Sequence, residues 1–338
     1  MPSARATARF LTVLTIAPAV ALTATSVHAW DFLPVSTKNM NPFMIGYGGI
    51  VPDAPNLIRK GEWMTRLKLE LANNSITARS STEEITIDGE SYIAEINLRY
   101  GYSSVIEISM AIPLVYQSEG FLDQAIKSWH NLWGMSNYRR DVFPNNQLNY
   151  KYVRNGNTLV DVDTDTGGIG DIVLGTKFQN ESMRSSATSI AYRFDLKLPT
   201  GDAGKLTGSG AADAAFSIHA ANSSLLGNIS TVLYGGAGLV ALGKGDILPE
   251  QQKDFVAGGY FGASWKTTPR LSLIAQLNYQ SAYYVSELSQ LGSDSINLYL
   301  NAAYFARDTL CYELGFGENL FTDPTPDFLL YFSITTRY

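Results

Sequence analysis

The sequence predicts an all-β fold: a transmembrane, antiparallel, up-and-down β-barrel of about 12 strands, with a long outer loop carrying a short amphipathic helix. Three observations predict it. The chain finishes on an amphipathic strand with an aromatic terminus, it opens on an export signal, and its connections sort into a short set and a long set. In the final strand Phe328, Leu330, Phe332, Ile334, Thr336 and Tyr338 share one face, and Leu329, Tyr331, Ser333, Thr335 and Arg337 the other. Period-two alternation of this kind places one row against an apolar phase and the other against a wetter one.

At the other end, Arg5 and Arg9 form a basic region and Phe10 to Leu22 is mostly apolar and uncharged. Val27-His28-Ala29 then offers small residues at the positions a leader peptidase reads, so residues 1–29 read as a signal peptide cut before Trp30. Of 338 residues, 338 − 29 = 309 remain, enough for one large β domain. The single cysteine, Cys311, excludes an intramolecular disulfide framework. A formal charge of −6, which becomes about −8 once Arg5 and Arg9 are removed, gives no support to nucleic-acid binding. After the leader no run is long and apolar enough for a helical span. Yet 45% hydrophobic and 12% aromatic residues with 29 glycines is rich for an exported soluble protein, and a barrel resolves that tension by facing every second residue to lipid.

Residues 30–61, with Asn41-Pro42-Phe43 and Gly46-Tyr47-Gly48-Gly49, are too irregular for a strand. They are either a periplasmic tail, the simpler reading, or a hatch inserted from below. The barrel is then 62–338. Alternating segments of about ten residues fall near 62–72, 91–100, 105–116, 170–179, 186–199, 211–221, 228–242, 254–266, 270–282, 294–306, 309–319 and 327–338. The third sets Ile106, Ile108, Met110, Ile112, Leu114 and Tyr116 against Glu107 and Ser109, and the fifth sets Ile190, Tyr192, Phe194, Leu196 and Leu198 against Arg193, Asp195 and Lys197. Glycines 235, 236 and 238 blur the seventh. Residues 75–87 offer an extension of the first hairpin and residues 42–51 are indefinite, so ten or fourteen strands also fit. With both ends in the periplasm, every outer connection (73–90, 117–169, 200–210, 243–253, 283–293, 320–326) is longer than every inner one. A soluble sandwich has no reason to sort its loops in this way.

The predicted lipid-facing rows carry almost no charge, because an Arg or Lys at mid-membrane would cost about 2–4 kcal/mol. The opposite rows carry Arg66, Lys68, Glu70, Glu95, Arg99, Glu107, Lys177, Arg193, Asp195, Lys197, Asp213, Asp254, Glu313 and Arg337. These are candidates to line the lumen, either cross-linked into a filling or set in opposed clusters along a polar channel. Glycines 175, 236, 238, 258 and 262 on the same rows would leave space for a passage.

Thr166-Gly-Gly-Ile-Gly-Asp-Ile-Val-Leu-Gly-Thr-Lys-Phe178, followed by Leu196-Lys-Leu-Pro-Thr-Gly-Asp202, resembles outer-membrane barrels found with aromatic (phenol) degradation genes. With Gly120-Phe-Leu-Asp123, Trp129-His130 and Gly208-Ser-Gly210 with Asp213, the chain is more similar still to a family of Gram-negative outer-membrane β-barrel proteins of unknown function. The resemblance runs from about residue 42 to the end. It implies a cell outer-membrane location, reached by the general secretory route, and a barrel fold. Passage of small hydrophobic or aromatic compounds is implied only by the more distant relatives, and no catalytic residues come with it. The partners implied are outer-membrane lipid and lipopolysaccharide, the barrel-assembly machinery acting through the C-terminal strand, and a small-molecule solute.

Other motifs are weaker. Asp161, Asp163 and Asp165 have the spacing of a calcium loop, but Gly167 arrives one residue late and Ile172 stands where the bidentate Glu belongs, so a solvated acidic loop is the plainer reading. Pro199-Thr-Gly-Asp202 is a strand exit and not a phosphate loop. No cofactor is expected. Between Phe121 and Trp133 the apolar residues, Trp129 among them, recur at helical spacing, which fits a lid over the mouth or a helix lying in the membrane interface.

Only His130 and His219 remain after leader removal. His219 shares an inward row with Ser217 and Asp213 and reads as a lumen-lining polar residue, because side chains two apart on a strand sit about 7 Å from one another and point the same way, which is no relay. The expected function is a channel or transporter for small molecules. A closed envelope barrel and, less favoured, a barrel-embedded hydrolase are the alternatives.

Overall fold

In β1 (Trp63–Arg79) the alternation runs inside out relative to a soluble protein. Leu67 and Leu69 are 47% and 54% exposed, whereas Arg66, Lys68 and Glu70 are buried. Apolar side chains left outside and charges enclosed is the arrangement that lipid selects, since a bilayer solvates the first and excludes the second. The pattern recurs around the molecule: Phe194, Phe216, Leu239, Phe261 and Leu314 are all exposed. Aromatics mark the rims of this band, with Trp63 packed on Tyr100 at one end and Tyr116, Phe255 and Tyr279 at the other.

The structure is a computed structural model that describes residues 32–134, 144–184, 187–227, 230–320, 324–326 and 328–338. The predicted signal peptide lies outside them. After β1 come β2 (Glu83–Gly101), β3 (Ile106–Ser118), α1 (Asp123–Trp133), β4 (Asn149–Arg154), β5 (Asn157–Val162), β6 (Thr166–Ile169), β7 (Val173–Phe178), β8 (Thr188–Lys197) and β9 (Asp213–Asn222). β10 (Thr231–Leu242), β11 (Phe255–Thr268), β12 (Leu271–Gln280), the short α2 (Ser289–Gly292), β13 (Ser295–Arg307), β14 (Leu310–Asn319) and β15 (Phe328–Arg337) complete the order.

Among the described residues, β1–β3 and β7–β15 pair antiparallel around a closed ring of 12 strands. β1 and β15 seal it in a ten-residue register from Met64↔Arg337 to Asn73↔Phe328. Backbone bonds between Trp63 and Tyr338, 2.8 and 3.1 Å, lock the inner end of that seam.

The outer side departs from the expected loops. β1 and β2 continue past the wall and pair as far as Arg79↔Glu84, so the expected loop 73–90 collapses to a tight turn at 80–82. Inside the long connection β4 and β5 form a hairpin that joins the free edge of β2, through pairs such as Ile87↔Tyr150 and Ile85↔Tyr152. Ile85, Ile87, Tyr150 and Tyr152 are fully buried with Tyr284, Leu288, Leu291, Ile247 and Leu248. The extended sheet thus folds against two other outer loops to roof the mouth. The extension of the first hairpin that residues 75–87 offer in the sequence is thus formed, with Ile76 opposite Ile87 and Thr77 opposite Thr86. On the inner side the connections 179–187 and 223–230 are longer than expected, because β7 stops at Phe178 and β10 begins only at Thr231.

Candidate functional site

Residues 32–61 lack any period and so cannot join a sheet, yet Phe32, Leu33, Val35, Met40, Phe43, Tyr47, Leu57 and Ile58 are buried. They run inside the barrel as a double pass. From Phe32, 5.2 Å from the Tyr234 ring, the chain climbs past Gln276 to a turn at Asn41–Ile45, then descends to Gly61 at the foot of β1. Asn41 makes that turn by accepting at its side chain from Phe43 N (3.0 Å) and at its carbonyl from Met44 N and Ile45 N. The simpler reading of these residues as a periplasmic tail is therefore corrected.

An irregular backbone enclosed in a protein still needs its N–H and C=O groups satisfied. Lumen side chains supply the bonds that a ladder would otherwise provide. Gln276 exchanges two 3.0 Å bonds with Val35, Asp213 accepts from Gly48 N at 2.7 Å, and Glu107 accepts from Ile58 N at 2.9 Å. Tyr284 donates to Phe43 O at 2.6 Å and Tyr283 to Gly48 O at 2.9 Å. We call residues 32–61 the plug.

The sequence-predicted lumen residues assemble into three clusters around it. In the first, Arg99, Lys177 and Arg193 converge on the plug carboxylate Asp53, with Lys177 and Arg193 each at 3.2 Å. On the wall the same cations meet Glu107, 2.9 Å from Arg99 and 3.4 Å from Lys177, and Asp195, 2.7 Å from Arg193. Three wall cations face two wall anions here, so this cluster is one negative charge short until Asp53 arrives. Burial alone would raise the Asp53 carboxyl, but Arg99, Lys177 and Arg193 hold it well below the usual carboxylate range.

The second cluster lies on the β1 side. Lys68 bonds Glu70 (2.9 Å), Glu95 (3.4 Å) and the plug carbonyl of Ser36 (3.1 Å), while Arg66 reaches Thr335 and Glu313. Glu313 also accepts from Ser333 at 2.5 Å.

The third cluster joins the sequence motifs. Lys197 sits between Asp171 (2.5 Å) and Asp213 (3.2 Å), and Asp171 accepts from Gly201 N and Ser209 N. Here the plug turn meets the outer loop so closely that a Cβ on Gly46 would lie 2.5 Å from the Gly208 carbonyl carbon. The glycine motifs, read as flexible turns in the sequence, thus form the seat of the plug.

Four expectations change. Asp254 is exposed and not in the lumen, because β11 begins one residue after it. The row glycines leave no passage. A Cβ on Gly258 would meet Ile50, and those on Gly262 and Gly236 would meet the rings of Tyr234 and Tyr260. Ser217 and His219, expected too far apart to touch, are joined by a 2.8 Å hydrogen bond, since rotamers on one pleat row can lean together. The third group of that chain is Tyr260, 2.6 Å from the other ring nitrogen, rather than Asp213, and Tyr260 donates to Asp53 O. Asp161 pairs with Lys151 at 3.0 Å and Asp165 accepts from Tyr116 at 2.6 Å, so these two acids have separate partners.

Arg337 is half-buried at the inner end of β15. Phe121 is 65% exposed beside α1, whose start is held by Glu90 accepting from Phe121 N and Leu122 N. The side chains of Trp129 and Trp133 lie outside the described residues. The sequence reading missed Asp53 and Lys38, both on the plug, because nothing periodic marks them.

Between the plug and the wall of β1, β2, β3, β7 and β8 remains a cavity of about 100 Å³. It is lined from Met64 at the inner rim to Thr207 on the outer loop.

A match to the family described as protein of unknown function (DUF3187) covers residues 10–338. The chain belongs to the DUF3187 family. The fold of this DUF3187 protein is similar to that of the COG4313 outer membrane channel from Pseudomonas putida F1, with 13% identity, 86% of this chain and 100% of that chain covered, and a TM-score of 0.54. Weaker likenesses include the KdgM porin (6% identity, 81% and 98% covered, TM-score 0.42) and the CymD monoaromatic hydrocarbon channel (10%, 83% and 88%, TM-score 0.35). No curated protein matches closely enough to count as a relative. The resemblance read from the glycine motifs stands: a DUF3187 barrel of the outer-membrane type.

Proposed function

We propose that this chain is an outer-membrane channel or transporter for small molecules, held shut by the plug. One observation carries the reading. Where the plug docks on Arg99, Lys177 and Arg193, the wall supplies one acid too few and Asp53 on the plug makes up the difference, while a cavity of about 100 Å³ lies alongside. A barrel filled for strength alone would balance its own wall. Twelve strands lie between the eight that side chains can fill and the sixteen or more of open pores, leaving room for an occupant that can shift.

Single-channel conductance in planar bilayers tests this, comparing the mature chain with one lacking residues 32–60. Steady conductance on plug removal, against silence or brief openings with the plug in place, is the expected result. Silence from both would move the weight to a closed envelope barrel, the second reading that the filled lumen favours. Hydrolysis finds little support, for Ser217 and His219 are buried and neither lines the cavity. On this reading the apolar band meets outer-membrane lipid and lipopolysaccharide.

A further inference from the structure

Charges of both signs line the cavity beside the plug. Six cations line it (Lys38, Arg66, Lys68, Arg99, Arg193 and Lys197) against four carboxylates, Asp53, Glu95, Asp171 and Asp195. Five of the six cations meet a carboxylate within 4 Å. Lys38 is the exception among the described residues. Its ammonium, carried on the plug, donates only to the backbone carbonyls of Ile45 (2.5 Å) and Tyr47 (3.3 Å).

Carbonyls orient an ammonium without neutralising it, and an ammonium out of bulk water lacks full compensation until an anion joins it. Around Lys38 stand Lys68 and Glu95 from one side of the wall and Lys197 with Asp171 from the other. The two wall lysines already hold their own acids, Glu70 and Glu95 for the first and Asp171 and Asp213 for the second. Among the cations that line the cavity, Lys38 is thus the one whose donors are not already spent on a carboxylate within 4 Å. Ammonium N–H donors facing a carboxylate or phosphate oxygen make the stronger, charge-assisted kind of hydrogen bond.

We infer that the lumenal cavity binds small anions, a carboxylate or a phosphate oxygen set against the Lys38 ammonium, and that solutes of this chemistry are what the channel takes. The inference deepens the channel reading and rests on it for transport, but binding is measured separately from conduction. A cation would be repelled by the Lys38 ammonium, and a neutral apolar solute would strip water from the lining without offering a partner.

The test is thermal unfolding of the full mature chain folded in detergent, with sodium benzoate or sodium phosphate replacing sodium chloride at constant ionic strength. Benzyl alcohol serves as the neutral counterpart of benzoate. The unfolding midpoint is expected to rise with anion concentration, as for any ligand that binds the folded state alone. Lys38→Arg keeps the rise. In Lys38→Met, and in Lys38→Gln should the first fold poorly, the same rise needs about ten- to a hundredfold more anion, the value of a lost charge-assisted bond. A rise with benzoate only assigns carboxylates, and one with phosphate only assigns phosphorylated or inorganic solutes; either supports the site. No rise in the unmutated chain, an equal rise in Lys38→Met, or benzyl alcohol matching benzoate overturns it. Anion binding without conductance would remove the channel and leave the site, and conductance without binding would do the reverse.

Discussion

Two charged residues of the plug sit in opposite circumstances. Asp53 is surrounded by more cations than it can neutralise, whereas Lys38 donates to carbonyls and has no carboxylate within 4 Å. The first is a clamp, and removing it leaves wall charges stranded. The second keeps donors unspent on any acid, and removing it leaves two carbonyls unpaired rather than a charge stranded. The contrast teaches that a plug can be anchored by one charge and made responsive by another, in the same thirty-residue segment.

The largest effect should come from the clamp. Asp53→Asn keeps the shape but leaves Arg99, Lys177 and Arg193 facing only Glu107 and Asp195, and breaking a buried pair from one side costs about 3–5 kcal/mol. Plug docking, read by protease protection of residues 32–61 in the folded barrel, should weaken by that amount and brief openings should appear in bilayers. Adding Lys177→Met restores the count of two wall cations against two anions and should recover part of the protection. If Asp53→Asn is as protected as the parent, the clamp is not electrostatic.

A purely steric change sharpens the same point at the other end. Gly46→Val would drive a side chain into the Gly208 backbone, and overpacking of this sort costs about 1–3 kcal/mol. Protease should then find the turn near Asn41 before it finds Asp53, which separates loss of the seat from loss of the clamp.

Lys38→Met should shift docking less than either, because relief of a charge with no carboxylate within 4 Å is offset by leaving the Ile45 and Tyr47 carbonyls without their donor. The pH profile gives the smallest and most specific signal. Burial pushes the Lys38 ammonium down to about 8, with Glu95 opposing and Lys197 and Lys68 reinforcing the fall, against 10.5 in a free chain. Between pH 8 and 10.5 the released plug therefore binds the extra proton, so docking strengthens as pH rises through that window. Anion binding, which needs the charged form, should fade over the lower part of it. Lys38→Met should show neither trend. Asp53 adds no slope near neutrality: its carboxyl is held low, so the stability it brings is present above the free carboxylate range and is lost only as pH falls through its depressed value.

The barrel was readable because lipid enforces period two. Leu67 and Leu69 against Lys68 and Glu70, or Phe194 and Leu196 against Arg193 and Asp195, separate the rows with no knowledge of neighbours. What each charge meets was not readable. Arg193 finds Asp195 two residues away, but it also finds Asp53, 140 residues away, and no local pattern points to that partner. The plug escaped for the same reason. Its backbone is satisfied by side chains from β3, β7, β9, β11 and β12, so its conformation is written on the wall and hardly at all in residues 32–61. The roof was missed because β1 and β2 outrun the membrane, where alternation no longer has a lipid phase to obey.

The seam between β1 and β15 joins side chains as distant as Arg66 and Thr335, 269 residues apart. Contacts of that separation are the costliest in loop entropy and form late. The plug precedes β1 in the chain and both of its passes lie within the ring that this seam completes. Its turn at Asn41–Ile45 would have to be threaded through a finished ring, past Arg99 and Lys177, if the ring closed first. Laid in place beforehand, the same segment offers Asp53 as a mould around which those cations can gather, and the barrel is cast about its own core.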